Sequence, residues 1–242
     1  MFAIFKKELT SFFSSLIGYI SIGVFLILMG LIMWVFPDNV LDFGYANLDI
    51  LFDNAPIVFI LLIPAITMRM FSEEIKTGTL EILVTKPISE IQIILGKFWA
   101  ASTLVIFSLL PTLIYFYSIY VLGATKGNLD LGATWGSYIA LILLSTSFVS
   151  IGLFASSLTG NQIVAFILAA FFSFLLYASF NAVGALGLFG GSADTVIQSL
   201  GIETHYQSIS RGVVDSRDVL YFFSITLIFI LCTITSLQSR KW

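Results

Sequence analysis

The residues that could do chemistry concentrate in one stretch, FSEEIKTGTLEILVTKP, from Phe71 to Pro87. Glu73, Glu74, Lys76, Glu81 and Lys86 crowd into it, in a chain that is 58% hydrophobic and only 10% charged. A hydrophilic island between apolar segments must face water, where a soluble partner can touch it. Signals for catalysis are weak by comparison. His205 stands alone in a polar stretch, and the single cysteine, Cys232, lies in an apolar run, which excludes an intrachain disulfide and a cysteine-cluster metal site. There is no HExxH, no GxSxG and no Cys/His pair. Gly96-Lys97 is followed by Phe98 and not by the Ser or Thr of a phosphate loop, so ATP hydrolysis by this chain is not expected. Asp38, Asp42, Asp49 and Asp53 follow no metal-loop spacing and read as a solvated acidic loop. The expectation is no catalytic residue, no metal site and no cofactor held by the chain.

The elements that must carry the island are membrane helices. Soluble domains are about 25% charged, far above this chain. The class is therefore an all-α polytopic membrane protein, one domain over residues 1–242. A helix needs about 20 apolar residues to cross about 30 Å of hydrocarbon. Charge-free windows place six spans near 15–37, 54–71, 93–121, 135–157, 161–187 and 219–239. The second window contains Pro64 and is short enough that a re-entrant segment competes with a full span. Thr159 with Gln162 reads as the capping box that opens the fifth span.

Six spans put both termini on one side. That side collects Lys6, Lys7, Arg69, Lys76, Lys86, Lys97, Arg240 and Lys241, against Lys126, Arg211 and Arg217 on the other. Both termini and the island are therefore predicted to be cytoplasmic. At the N-terminus, Phe2, Phe5, Leu9, Phe12, Phe13 and Leu16 form an apolar stripe, with Lys7, Glu8, Thr10, Ser11 and Ser14 around the rest of the wheel. The pattern predicts an interfacial helix over 2–14, lying on the lipid bilayer.

Within the island, Ser72-Glu73-Glu74 can cap and charge a helix start, and Gly78 permits a bend. Leu80, Leu83 and Val84 give an apolar face, Pro87 ends it, and Ser89 with Gln92 caps the third span. On the opposite side, Arg211, Asp215, Arg217 and Asp218 could pair to order the segment before the sixth span. Ala165, Ala169 and Ser173 make a small-residue stripe suited to helix contact inside one bundle or across a dimer. Ser145, Thr146, Ser147, Ser150, Ser173 and Asn181 could supply a polar lining.

The order EE-x3-GTLE-x-L-x3-P followed by Gly96-Lys97 resembles the signature of ABC-2 type permeases. Here it comprises Glu73, Glu74, Gly78, Thr79, Leu80, Glu81, Leu83, Pro87, Gly96 and Lys97. LTSFFSSLIGYISIGVFLILMGLIMWVFP and GNLDLGATWGSYI are similar to the gliding-motility permeases of Bacteroidetes. The resemblance implies a permease subunit in a bacterial inner membrane, with a coupling helix between the second and third spans. That helix would dock a separate ABC ATPase, which would bind ATP and Mg. It also implies a second permease copy or a related permease-like subunit, and no nucleic acid. A non-transport ABC assembly, which passes ATP-driven motion to a membrane or periplasmic partner, is the alternative. An intramembrane enzyme would need ionisable residues inside its spans, which the charge-free windows lack.

Overall fold

The computed structural model describes residues 1–37, 39–42, 46–80, 88–123, 129–187 and 190–239. Among them every regular element is helical. A chain this apolar requires that, because in hydrocarbon each backbone N–H and C=O must be satisfied within its own segment or by a packed neighbour. Helix α1 (Phe2–Phe13) is followed by α2 (Leu16–Trp34), whose Gly18–Trp34 stretch is bent by 67° from α1. Helices α3 (Asp49–Thr67) and α4 (Arg69–Lys76) run on as one 28-residue unit. Helix α5 (Glu90–Leu109), a 3₁₀ turn at Leu110–Thr112 and α6 (Leu113–Leu122) make another of 33 residues. Helix α7 (Leu131–Leu158) is unbroken. Helix α8 (Gln162–Phe174), a π segment Leu175–Ser179 and α9 (Phe180–Ala185) follow. Two short helices, α10 (Gly191–Gln198) and α11 (Ile202–Ser210), lead into α12 (Ser216–Ser239). Five of these units are long and apolar enough to cross a membrane, or six if the bent α1–α2 pair is one span.

Helix α7 is the spine. Its apolar window is 72% buried, against 17% for that of α12. Small residues along it let neighbours approach, and its hydroxyls clasp them. Ser147 Oγ meets Thr226 Oγ1 at 3.3 Å, and Ser157 Oγ donates to Ser236 Oγ at 3.0 Å, both on α12. Ser145, Ser147 and Ser150 are fully buried; Ser147 reaches Phe222 O on α12, while Ser145 and Ser150 donate back to Ile142 O and Ser147 O of their own helix. Ala165, Ala169 and Ser173 are likewise fully buried on α8, so that stripe packs inside the bundle and not across a dimer.

Four local expectations change. The second apolar window is no short re-entrant piece, since its helix begins at Asp49 and continues to Lys76. Ser72 consequently starts nothing: it sits inside α4, whose only break from α3 is at Met68. Ser156 on α7 splices that break, accepting from Phe71 N at 2.9 Å and Ser72 N at 3.1 Å while donating to Met68 O at 3.0 Å. The cap of α8 is Asn161, whose side chain accepts from Ile163 N. Thr159 Oγ1 instead accepts from Asn161 N. Ser89 holds the N-cap position of α5 in extended geometry without a side-chain cap bond.

Helix α3 tolerates Pro56 in its interior for a visible reason. Proline has no N–H, so the Phe52 carbonyl four residues earlier loses its helical donor. Tyr206 of α11 supplies one, its hydroxyl donating to Phe52 O at 2.6 Å. Burial, reinforced by Tyr177 and Asp53, pushes the Tyr206 phenol well above its ordinary value, so it stays a donor. Tyr206→Phe is expected to cost about 1–3 kcal/mol. Pro56→Ala, which restores a backbone donor, removes most of that loss in the double variant, as a double-mutant cycle on thermal unfolding in detergent will show.

Candidate functional site

Lys97 on α5 is the most buried charged side chain among the described residues, at 1% exposed. An ammonium has three N–H donors and no acceptor, and here three acceptors meet it. Nζ lies 2.9 Å from Glu8 Oε1 on α1, 2.9 Å from Glu74 Oε1 on α4 and 2.6 Å from the Met70 carbonyl, also on α4. The Phe71 ring lies 5.1 Å from Nζ. On the water side, exposed Lys7 bridges the same carboxylates, at 3.0 Å to Glu74 and 3.5 Å to Glu8. Two cations and two anions alternate, so the cluster is neutral. Withdrawing charges from water costs several kcal/mol per ion unless partners compensate; this arrangement compensates and ties three helices at one point.

The local sequence makes the junction possible. Gly96 lies under α1, and a Cβ there would sit 3.0 Å from Ile4 Cβ and 3.1 Å from Met1 O. Its lack of a side chain lets α1 lie directly on α5. Ile4, Glu8 and Phe12, at helical spacing four, form the buried face of α1. This corrects the placement of Glu8 on the polar wheel and of Phe12 on the lipid-facing stripe. Phe2 and Phe13 do face outward, and with Phe5, Leu9 and Phe107 they border a groove of about 720 Å³. Arg69 pins the α1–α2 corner, with its guanidinium 4.0 Å from the Phe12 ring centre and Nη2 donating to Ser15 Oγ at 3.2 Å.

The island residues divide by direction. Glu74 turns inward to Lys97 and Lys7, and its Oε2 is buried without a hydrogen-bond partner among the described residues. Glu73 and Thr79 are exposed, and Leu80 is half-buried against the core. Gly78, at φ +69°, closes α4 with Gly78 N bonded to Ile75 O, a left-handed turn that a side chain would strain. Thr77 Oγ1 donates to Glu73 O at 2.8 Å and lies 2.9 Å from Thr79 Oγ1, tightening the turn. Glu81, Leu83 and Pro87 lie outside the described residues, and with them most of the expected coupling helix.

At the far end of the bundle, Arg211, Asp215, Arg217 and Asp218 do not pair with one another. Asp218 is buried against His205, Asp215 Oδ1 accepts from Arg217 N at 2.9 Å, and neither arginine forms an ion pair among the described residues. Charge pairing by proximity in sequence misleads here because the helical start at Ser216 turns Asp218 inward and leaves Arg217 in water. Glu8 and Lys7 are the junction residues that the sequence reading did not single out. The available signal was the burial face Ile4-Glu8-Phe12, together with a lysine on α5 that has no carboxylate three or four residues away on its own helix.

A helical bundle with five or six candidate spans, and with a buried ammonium neutralised at one end, is a polytopic membrane protein. The family model described as "ABC-2 family transporter protein" matches residues 2–208, and the chain belongs to that family. Members are permease components of ABC transporters, not enzymes themselves, and typically pair with an ABC ATPase subunit. The match spans α1, the junction and α11 as far as Ser208. No curated protein matches the chain.

Lys97→Met leaves two carboxylates sharing the single cation Lys7 and is expected to cost about 3–5 kcal/mol. Adding Glu8→Gln and Glu74→Gln to it recovers most of that loss. Unfolding midpoints of the single and triple variants in detergent check the expected non-additivity.

Proposed function

We propose that this chain is the permease subunit of an inner-membrane ABC transporter, with both termini cytoplasmic, driven by a separate ATPase. The ATPase, which binds the ATP and Mg, docks on the outward side of the α4 end: Glu73, Gly78, Thr79 and Leu80, continuing through Glu81, Leu83 and Pro87. Glu74, Gly96 and Lys97 then serve coupling from the inside. The observation that carries this reading is the Lys97 junction, because a push on the α4 end must also move α1 and α5. Two permease subunits, identical or related, complete the assembly, and the sequence likeness to gliding-motility permeases supports a role in that process.

A second reading, ATP-driven motion passed to a membrane or periplasmic partner without cargo, is favoured by one observation. The buried hydroxyls of Ser145, Ser147 and Ser150 are committed to backbone carbonyls inside the chain. Vesicles reconstituted with both subunits separate the two, since turnover without flux of lipid, ion or peptide supports the second.

Docking and transmission separate by mutation. Glu73→Lys with Thr79→Arg, both exposed, is expected to lower ATPase recovery in co-purification by at least about tenfold. Lys97→Met is expected to leave the ATPase bound but to uncouple its turnover from the permease. Full ATPase recovery with the double variant contradicts the docking assignment.

A further inference from the structure

Helix α1 has three faces, and the Lys97 junction uses one of them. Ile4, Glu8 and Phe12 turn into the bundle. At 3.6 residues per turn, Phe2, Phe5, Leu9 and Phe13 form the adjoining stripe, and Lys6 with Thr10 the stripe beyond it. The apolar stripe is one wall of the groove of about 720 Å³. Phe107 on α5 is the other wall, its ring edge to face with Phe13 at 5.9 Å between centroids. Lys6, Thr10 and Ser14 border the same groove. Its volume is that of a small-molecule site.

The two ends of the groove differ in chemistry. Lys6 is exposed and forms no ion pair among the described residues, whereas Lys7 beside it is committed to Glu8 and Glu74. Thr10, one turn on, is exposed, and its hydroxyl bonds to no described residue. None of the described residues that line the groove is acidic. At the other end, Phe107 lies ten residues past Lys97, about 15 Å further along α5. That is half of a hydrocarbon layer of about 30 Å, the depth of one leaflet. The groove thus joins an unpaired cation and an unpaired hydroxyl at the wet end of the bundle to aromatic walls at the depth of acyl chains.

We propose that this groove seats one anionic phospholipid, with an acyl chain between α1 and Phe107 and the phosphate headgroup at Lys6 and Thr10. This goes further than a helix resting on the bilayer, because it assigns one lipid molecule to one seat and a headgroup preference to one residue. It holds whether or not an ATPase docks on α4.

The acyl chain does not decide which lipid binds. Lipid tails are as apolar as the side chains of the groove, so a chain that leaves the bilayer for the groove gains packing but little hydrophobic free energy. Selectivity therefore falls to the headgroup. An anionic headgroup keeps a net charge for Lys6 to meet, whereas a zwitterionic one carries its own cation. One lysine at an anionic lipid surface corresponds to about fivefold in affinity.

Native mass spectrometry of the full chain, released from detergent micelles that contain phosphatidylglycerol or phosphatidylcholine of matched chains, counts the lipids retained. The wild-type chain is expected to retain one phosphatidylglycerol, about fivefold better than phosphatidylcholine. Lys6→Gln removes that preference without lowering phosphatidylcholine retention. Lys76→Gln, at an exposed lysine of α4 that does not border the groove, leaves the preference intact. Phe107→Ala lowers retention of both lipids together. Lys6 and Phe107 are both exposed, so neither change opens the core. Equal retention of the two lipids by the wild-type chain overturns the proposal, as does a preference that survives Lys6→Gln or retention that survives Phe107→Ala. Retention of neither lipid also overturns it and leaves the groove to a protein segment.

Discussion

An ammonium withdrawn from water needs an acceptor for each of its three N–H bonds, and Lys97 finds them on two other helices. That constraint organises one end of the molecule. Glu8 must come from α1, Glu74 and the Met70 carbonyl from α4, and the three helices must meet within hydrogen-bond distance of one atom. Gly96 permits the approach, Phe12 and Arg69 fix the corner where α1 gives way to α2, and Lys7 balances the charge where water begins. No element of this set works alone. Lys97 without the carboxylates would be a buried unpaired charge, and the carboxylates without Lys97 would share only Lys7; either costs more than the intact pairing contributes.

Two repairs elsewhere follow the same logic of obligatory satisfaction in an apolar medium. Ser156 closes the break between α3 and α4 by taking two N–H groups and returning a donor to Met68 O. Tyr206 replaces the N–H that Pro56 lacks. Each repair fastens one element to another: α4 to the spine α7, and α11 to the first turns of α3. The breaks in the helices are thus the places where the ends of the bundle are attached. In the coupling proposed above, a push on α4 meets a pivot held by the Ser156 hydroxyl and passes sideways through Lys97.

The helical architecture was legible because lipid leaves few alternatives: charge-free stretches of sufficient length had to be helices. Family membership was legible from the ordered run Glu73 to Lys97, and the matching family model covers that run. The direction in which its residues point was not. Glu73 and Glu74 are adjacent and chemically alike, yet one faces water and the other Lys97, because the helix from Asp49 continues through them where a capped start at Ser72 was expected. Glu8 was hidden for a related reason. A helical wheel assigns charge to the wet side, and only the partner on α5 makes burial favourable. Likewise Asp218 pairs with a histidine thirteen residues away and not with the adjacent arginine, a contact set by how α11 packs on α12, which no local pattern encodes.

The central claim is that the Lys97 junction locks α1 to α4. Spin labels at exposed Thr10 on α1 and Lys76 on α4, in the full chain in nanodiscs, measure this by pulsed electron resonance. The account predicts one narrow distance distribution in the otherwise wild-type chain and a broad or split one when Lys97→Met is added. Equally narrow distributions with and without Lys97 would contradict it.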